Sequence, residues 1–219
     1  MIALLLAAAP ALAAPLTQSA PSASPETWHA AAGLGALGVS GEPAPGGRLD
    51  LGLGLGDFAV RSTSTVWGSA QPDVFSSLGL RYRFGLTERL SLAPTLQVVE
   101  HASASPLDRQ RLLRPGVAVH RSGARVDLYL SLPLSTWVFQ PAPEVDIAPR
   151  RANLFENLLG MEAGAAVRLG DAVSLRGGLT GVMPSLGARY QRQRLYVDAL
   201  GATVGLAHLG MLQVGLTGT

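Results

Sequence analysis

His101 stands beside Glu100, with Ser103 and Ser105 just downstream, in a stretch that reads as an outer loop. A Ser–His–acid set of this kind would cleave an ester, provided base, orienting acid and nucleophile meet within hydrogen-bond reach. Neighbours in one loop seldom do, so an ordinary polar loop is the competing reading. Gly33-x-Gly35-x-x-Gly38 matches a dinucleotide fingerprint as a string. That chemistry needs a helix whose N-terminus faces a pyrophosphate, and Val39-Ser-Gly-Glu-Pro43 does not open one. His29 lies in an extended stretch, and His120 and His208 lie at tight turns. No His/Asp/Glu spacing marks a metal site. The absence of Cys excludes disulfides, thiolate metal centres, a cysteine nucleophile and a lipoprotein anchor. No metal and no cofactor is expected.

A second set of chemistry-bearing residues is spread more widely. Arg81, Arg83, Asp127, Glu162, Arg168, Arg176 and Asp198 alternate with apolar residues. Their spacing has meaning only in strands, where successive side chains point to opposite faces. Val126, Leu128, Leu130, Leu132 and Leu134 share one face, while Asp127, Tyr129, Ser131 and Pro133 share the other. Leu49, Leu51, Leu53 and Leu55 alternate with Asp50, Gly52, Gly54 and Gly56. Leu78 to Gly85 and Met161 to Leu169 repeat the pattern. A helix would scatter each set around its circumference.

Read this way, the chain holds about eleven strand candidates, at 28–40, 47–56, 58–67, 74–86, 90–99, 112–120, 125–138, 155–169, 172–182, 192–206 and 209–217. Tight turns such as Gly56-Asp57 and Gly170-Asp171 alternate with longer connections at 41–46, 68–73, 100–111, 139–153 and 184–191. Short turns at one end and long loops at the other describe an up-and-down barrel. The chain has 219 residues, 47% hydrophobic and 15% charged, and its 17 basic residues are all arginine. A net charge of +2 does not suggest a nucleic-acid partner.

A soluble barrel hides its apolar face inside, whereas a membrane barrel turns it outward between aromatic girdles. The charges and glycines share one face and nearly pure Leu, Val and Ala the other, so the charged face reads as lumen. Trp28, Phe58 and Phe84 sit near short turns or the N-terminus, and Trp67, Trp137, Phe139 and Tyr190 near long loops, as girdles would. The fold expected is an all-β, antiparallel up-and-down transmembrane β-barrel of about 10–12 strands.

The stretches Leu80-Arg-Tyr-Arg-Phe-Gly-Leu-Thr-Glu-Arg-Leu-Ser-Leu92 and Val167-Arg-Leu-Gly-Asp-Ala-Val-Ser-Leu175 read as strand–turn–strand units, and in them the chain resembles bacterial outer-membrane β-barrel proteins. The resemblance implies the outer membrane of a Gram-negative bacterium, short turns in the periplasm and long loops outside. Residues 1–13 read as a signal peptide, with the apolar run Ile2–Ala9 and a cleavage site after Ala13. Residues 14–27 read as a disordered lead-in and 28–219 as the barrel. Eleven strands would end outside, which suggests a missing final strand or a false assignment near the N-terminus. In a narrow lumen the charges must pair; in a wide one they line water and set selectivity. The leading expectation is a small porin-like channel or structural barrel. A rim lipid hydrolase using His101, or a soluble periplasmic ligand-binding barrel, are the alternatives. Expected partners are outer-membrane lipids, with lipopolysaccharide at the arginines Arg109, Arg111, Arg114, Arg150, Arg151, Arg189, Arg192 and Arg194, and small solutes.

Overall fold

The structure, a computed structural model, describes residues 28–39, 42–68, 73–102, 109–139, 149–158, 160–181, 183–204 and 207–218. The expected signal and lead-in lie outside these residues. The strands are β1 (Trp28–Val39), β2 (Glu42–Leu55), β3 (Phe58–Trp67), β4 (Asp73–Tyr82), β5 (Phe84–Gly85), β6 (Leu90–Ala102), β7 (Gln110–Arg121) and β8 (Val126–Pro133). They continue with β9 (Trp137–Phe139), β10 (Arg150–Arg151), β11 (Glu162–Arg168), β12 (Val173–Thr180), β13 (Met183–Arg192), β14 (Leu195–Val204) and β15 (Ala207–Gly218). Among the described residues one short helix, α1 (Leu154–Leu158), lies between β10 and β11.

Each strand pairs antiparallel with its sequence neighbours, and β15 returns to β1 with Trp28 opposite Gly218. With β5 continuing β4, β9 continuing β8 and β11 continuing β10, the wall is a closed barrel of twelve staves. Closure satisfies the backbone of every stave sideways and leaves no edge, which is what a strand-built structure needs in lipid. The alternation sets the faces. In β2, Leu49, Leu51 and Leu53 are exposed on the outside, while Arg48 and Asp50 are buried inside. Leu128 and Leu130 of β8 and Leu212, Val214 and Leu216 of β15 extend the outer apolar band.

Three expectations are corrected. The stretch 184–191 is not a loop but most of β13, which pairs with β12 and β14 throughout. Its inclusion restores the even count, so Gly218 lies beside Trp28 at the short-turn end and no further strand is needed for closure. The expected strand 155–169 begins instead with α1, because Asn153 and Glu156 form a capping box: Glu156 N–H donates to Asn153 Oδ1 at 2.9 Å, and Asn153 N–H to Glu156 Oε2 at 2.9 Å. Residues 42–46 of the expected loop 41–46 belong to β2.

Candidate functional site: a charged layer and its cavity

Ion pairs between neighbouring strands cross the inside of the wall. Asp50 of β2, fully buried, accepts from Arg61 of β3 at 2.8 Å (Nε) and 2.5 Å (Nη2). His29 of β1 lies 3.1 Å from the same carboxylate and Arg48 3.8 Å away. Asp50 is directly opposite Thr63, so Arg61 reaches it diagonally from opposite Gly52, the offset that long side chains span between strands. Asp198 of β14 accepts from Arg189 at 2.7 and 2.6 Å, with Arg176 of β12 at 3.7 Å. The Arg189 guanidinium also lies 4.1 Å from the centre of the Tyr196 ring. Nearer the short turns, Arg168 donates to Asp127 at 2.7 Å.

Glu162 of β11 is buried and takes part in none of the direct ion pairs among the described residues. The opposing charges acting most strongly on it are Arg61, Arg114 and Arg48, from staves other than its own.

Beside this layer a cavity of about 530 Å³ reaches from Glu162, Arg114 and Arg189 to the short turns at Asp57, Glu88 and Ser122. Arg81 and Arg83 line it, and Arg83 pairs with Asp57 at 3.1 Å at the mouth. Toward the long connections lie two apolar clusters, with His101 and Thr65 buried among the inward residues. Trp67, Phe75, Ala202, Leu209 and Met211 form one buried cluster, and Val99, Leu112, Val138 and Ala152 a second.

The structure therefore places Arg81, Asp127, Glu162, Arg168, Arg176 and Asp198 on the inner face and Arg83 at the cavity mouth. Sequence reading missed the separate inward set Asp50, Arg48, Arg61 and His29, although the outward Leu49–Leu51–Leu53 series implies that 48, 50 and 52 point inward. Two arginines assigned to outer loops, Arg114 and Arg189, are lumenal, and Arg192 and Arg194 sit at the short turn between β13 and β14. Of the aromatic residues, Trp28, Phe84, Trp137 and Tyr190 are exposed on the wall, and Phe58 and Phe139 share the outward face by register with Tyr82 and Arg111. Trp67 is corrected: it turns inward and is buried, because Gly46 opposite leaves room for its ring. Tyr190 belongs near the short turns, a consequence of β13 being a strand.

His101 and Glu100 face opposite sides of β6. His101 is buried inside, stacked on Phe75 at 4.4 Å and 3.2 Å from Asp73. Glu100 pairs with Arg111 on the outer surface. Ser103 and Ser105 lie outside the described residues.

No protein-family model and no curated protein matches the chain. Solved structures do match. The KdgM porin aligns at TM-score 0.60 and 9% identity over 85% of this chain and 98% of that one. The NanC porin aligns at TM-score 0.58 and 9% identity, over 87% and 99%. Outer membrane phospholipase A from Escherichia coli aligns at TM-score 0.52 and 11% identity, over 87% and 92%. This chain has the fold of the outer-membrane β-barrels. At such identities the likeness carries the architecture, and the charged layer of this barrel is argued from its own residues.

Proposed function

We propose that the chain is a narrow porin-like barrel in the outer membrane of a Gram-negative bacterium, exported by the segment 1–13, that admits small solutes to its lumen. One observation carries this reading: an apolar outer band encloses an ion-paired interior with a cavity of about 530 Å³. The folds of the KdgM and NanC porins support it, and the KdgM porin was solved in complex with disordered oligogalacturonate. Short turns then face the periplasm. The cavity lies on that side, and the apolar clusters form a constriction toward the exterior, of the kind that gates by excluding water. The rim arginines Arg111, Arg150 and Arg151 stand where lipopolysaccharide phosphates would lie.

Reconstitution into vesicles and planar bilayers tests this. The barrel should float with the vesicles, give small conductance steps and pass monosaccharides in a swelling assay. Insertion without conductance or solute flux would sink the channel and leave a structural barrel. A protein that stays in solution without detergent would sink both.

A further inference from the structure

Gln97 of β6 and Arg114 of β7 are directly opposite each other in the ladder, and both line the cavity. Arg114 is only 7% exposed, yet its Nε finds no acceptor, and no carboxylate among the described residues approaches its guanidinium within ion-pair distance. Gln97 Nε2 is likewise buried without an acceptor. Further along β7, His120 lines the same cavity, also with a buried, unpartnered Nε2. Buried polar atoms are nearly always hydrogen-bonded in folded proteins, so the unmet donors of Arg114 and Gln97, opposite each other in the cavity wall, mark where an acceptor belongs.

The charge balance says what kind. Arg61, Arg81, Arg83, Arg89, Arg114 and Arg189 line the cavity against Asp57, Glu88 and Glu162. Arg61 and Arg189 are matched by Asp50 and Asp198, and Arg83 by Asp57. Arg114 is buried with no carboxylate among the described residues in ion-pair contact, and Glu162 acts on it only from farther off. Gly160 sits against it: a Cβ there would come 3.3 Å from the guanidinium carbon, so the backbone closes the site without a side chain covering it. The volume falls in the range of small-molecule sites, roughly 300–1,000 Å³.

We infer that this cavity binds a sugar-sized anion from the short-turn side, its carboxylate or phosphate held by the Arg114 fork and the Gln97 amide. A planar guanidinium suits both groups, taking two oxygens at once. The inference deepens the porin reading and rests on solutes reaching the lumen.

The test is titration calorimetry on the full chain folded in detergent micelles, with D-glucuronate, D-glucose 6-phosphate and D-glucose. At least one acidic sugar should bind about tenfold or more tightly than glucose, and which one does tells carboxylate from phosphate. Arg114→Gln and Gln97→Leu should each weaken that binding by about tenfold, while Arg121→Gln, on the outer face, should not. Should Arg114→Gln fail to fold, Arg114→Lys keeps the charge, loses the fork and should bind at intermediate strength. Equal binding of all three sugars, binding of none, or full binding by the Arg114 variants overturns the site. A barrel that conducts but binds no acidic sugar keeps the porin reading and loses this one. A protein that never inserts loses the porin reading, while the titration still decides the site.

Discussion

Arg189 and Asp198 face each other squarely across β13 and β14, joined by two parallel hydrogen bonds of 2.7 and 2.6 Å. The arrangement is bidentate, and both side chains are largely withdrawn from solvent. Arg176 leans on the same carboxylate. Asp198→Ala would strand two inward guanidinium groups. Removing one member of a buried pair costs about 3–5 kcal/mol, and denaturant unfolding in micelles should show a loss of that order. Replacing Asp198 by Ala together with Arg189 by Met should recover part of it. Equal losses for the single and double variants would show that the pair is not the source.

The outward leucines make a separate claim. Leu51 is exposed on the middle of β2, opposite Ala30 and Ser62. Leu51→Arg should cost about 2–4 kcal/mol when folding is titrated in lipid vesicles, as for a cation near the bilayer midplane. An unchanged folding midpoint would mean that this face does not meet hydrocarbon.

Trp67 belongs to the buried apolar cluster toward the long connections, and its ring occupies the space over Gly46, where a Cβ would lie 2.0 Å from it. Gly46→Val should displace the ring, and Trp67→Ala should remove it. Both should raise single-channel conductance at some cost in stability. Conductance unchanged in both variants would locate the barrier elsewhere.

At the long-connection end, Arg150 and then the Asn153 backbone N–H hold the Glu156 carboxyl below its usual range. Glu156 therefore keeps its charge to lower pH in the folded chain than in the unfolded one. Its contribution is present above the ordinary carboxyl value of about 4.3 and is lost as pH falls through the lower, folded value. Amide exchange in 154–158 should accelerate over that acid range, and Glu156→Gln should show the faster exchange already at neutral pH. Identical profiles for wild type and variant would remove the cap from the account.

The faces of β2, β8 and β11 could be read from the sequence, because Leu, Val or Ala returns at every second residue against a face that carries Asp, Glu, Arg or Gly. β13 could not. Its outward series Pro184, Leu186, Ala188, Tyr190 and Arg192 is weakly apolar, and it opens on a proline that otherwise signals a loop. Losing that strand carried Arg189 and Tyr190 to the wrong end of the barrel. The lumenal charges were half legible for a different reason. Periodicity assigns a residue to a face, but a two-residue shift of register leaves every face intact. Which carboxylate meets which guanidinium was therefore open until the pairing of Gly52 with Arg61 and of Arg189 with Asp198 was known. The cavity donors Gln97 and Arg114 depend on register in the same way.

The inward glycines do more than leave the lumen open. In the structure each of four is paired across the ladder with a ring: Gly46 with Trp67, Gly52 with His29, Gly164 with Tyr129 and Gly215 with Tyr196. A Cβ at any of them would fall within 2.0 to 2.3 Å of that ring. Moving Trp67 two places along β2 would set it against Arg48 or Ala44, and moving Tyr196 along β15 against Gln213 or Thr217. Hydrophobic alternation does not discriminate against such slips, but the ring–glycine keys do. They give the closing barrel a means of error correction, favouring one alignment at each of the four seams that carry them.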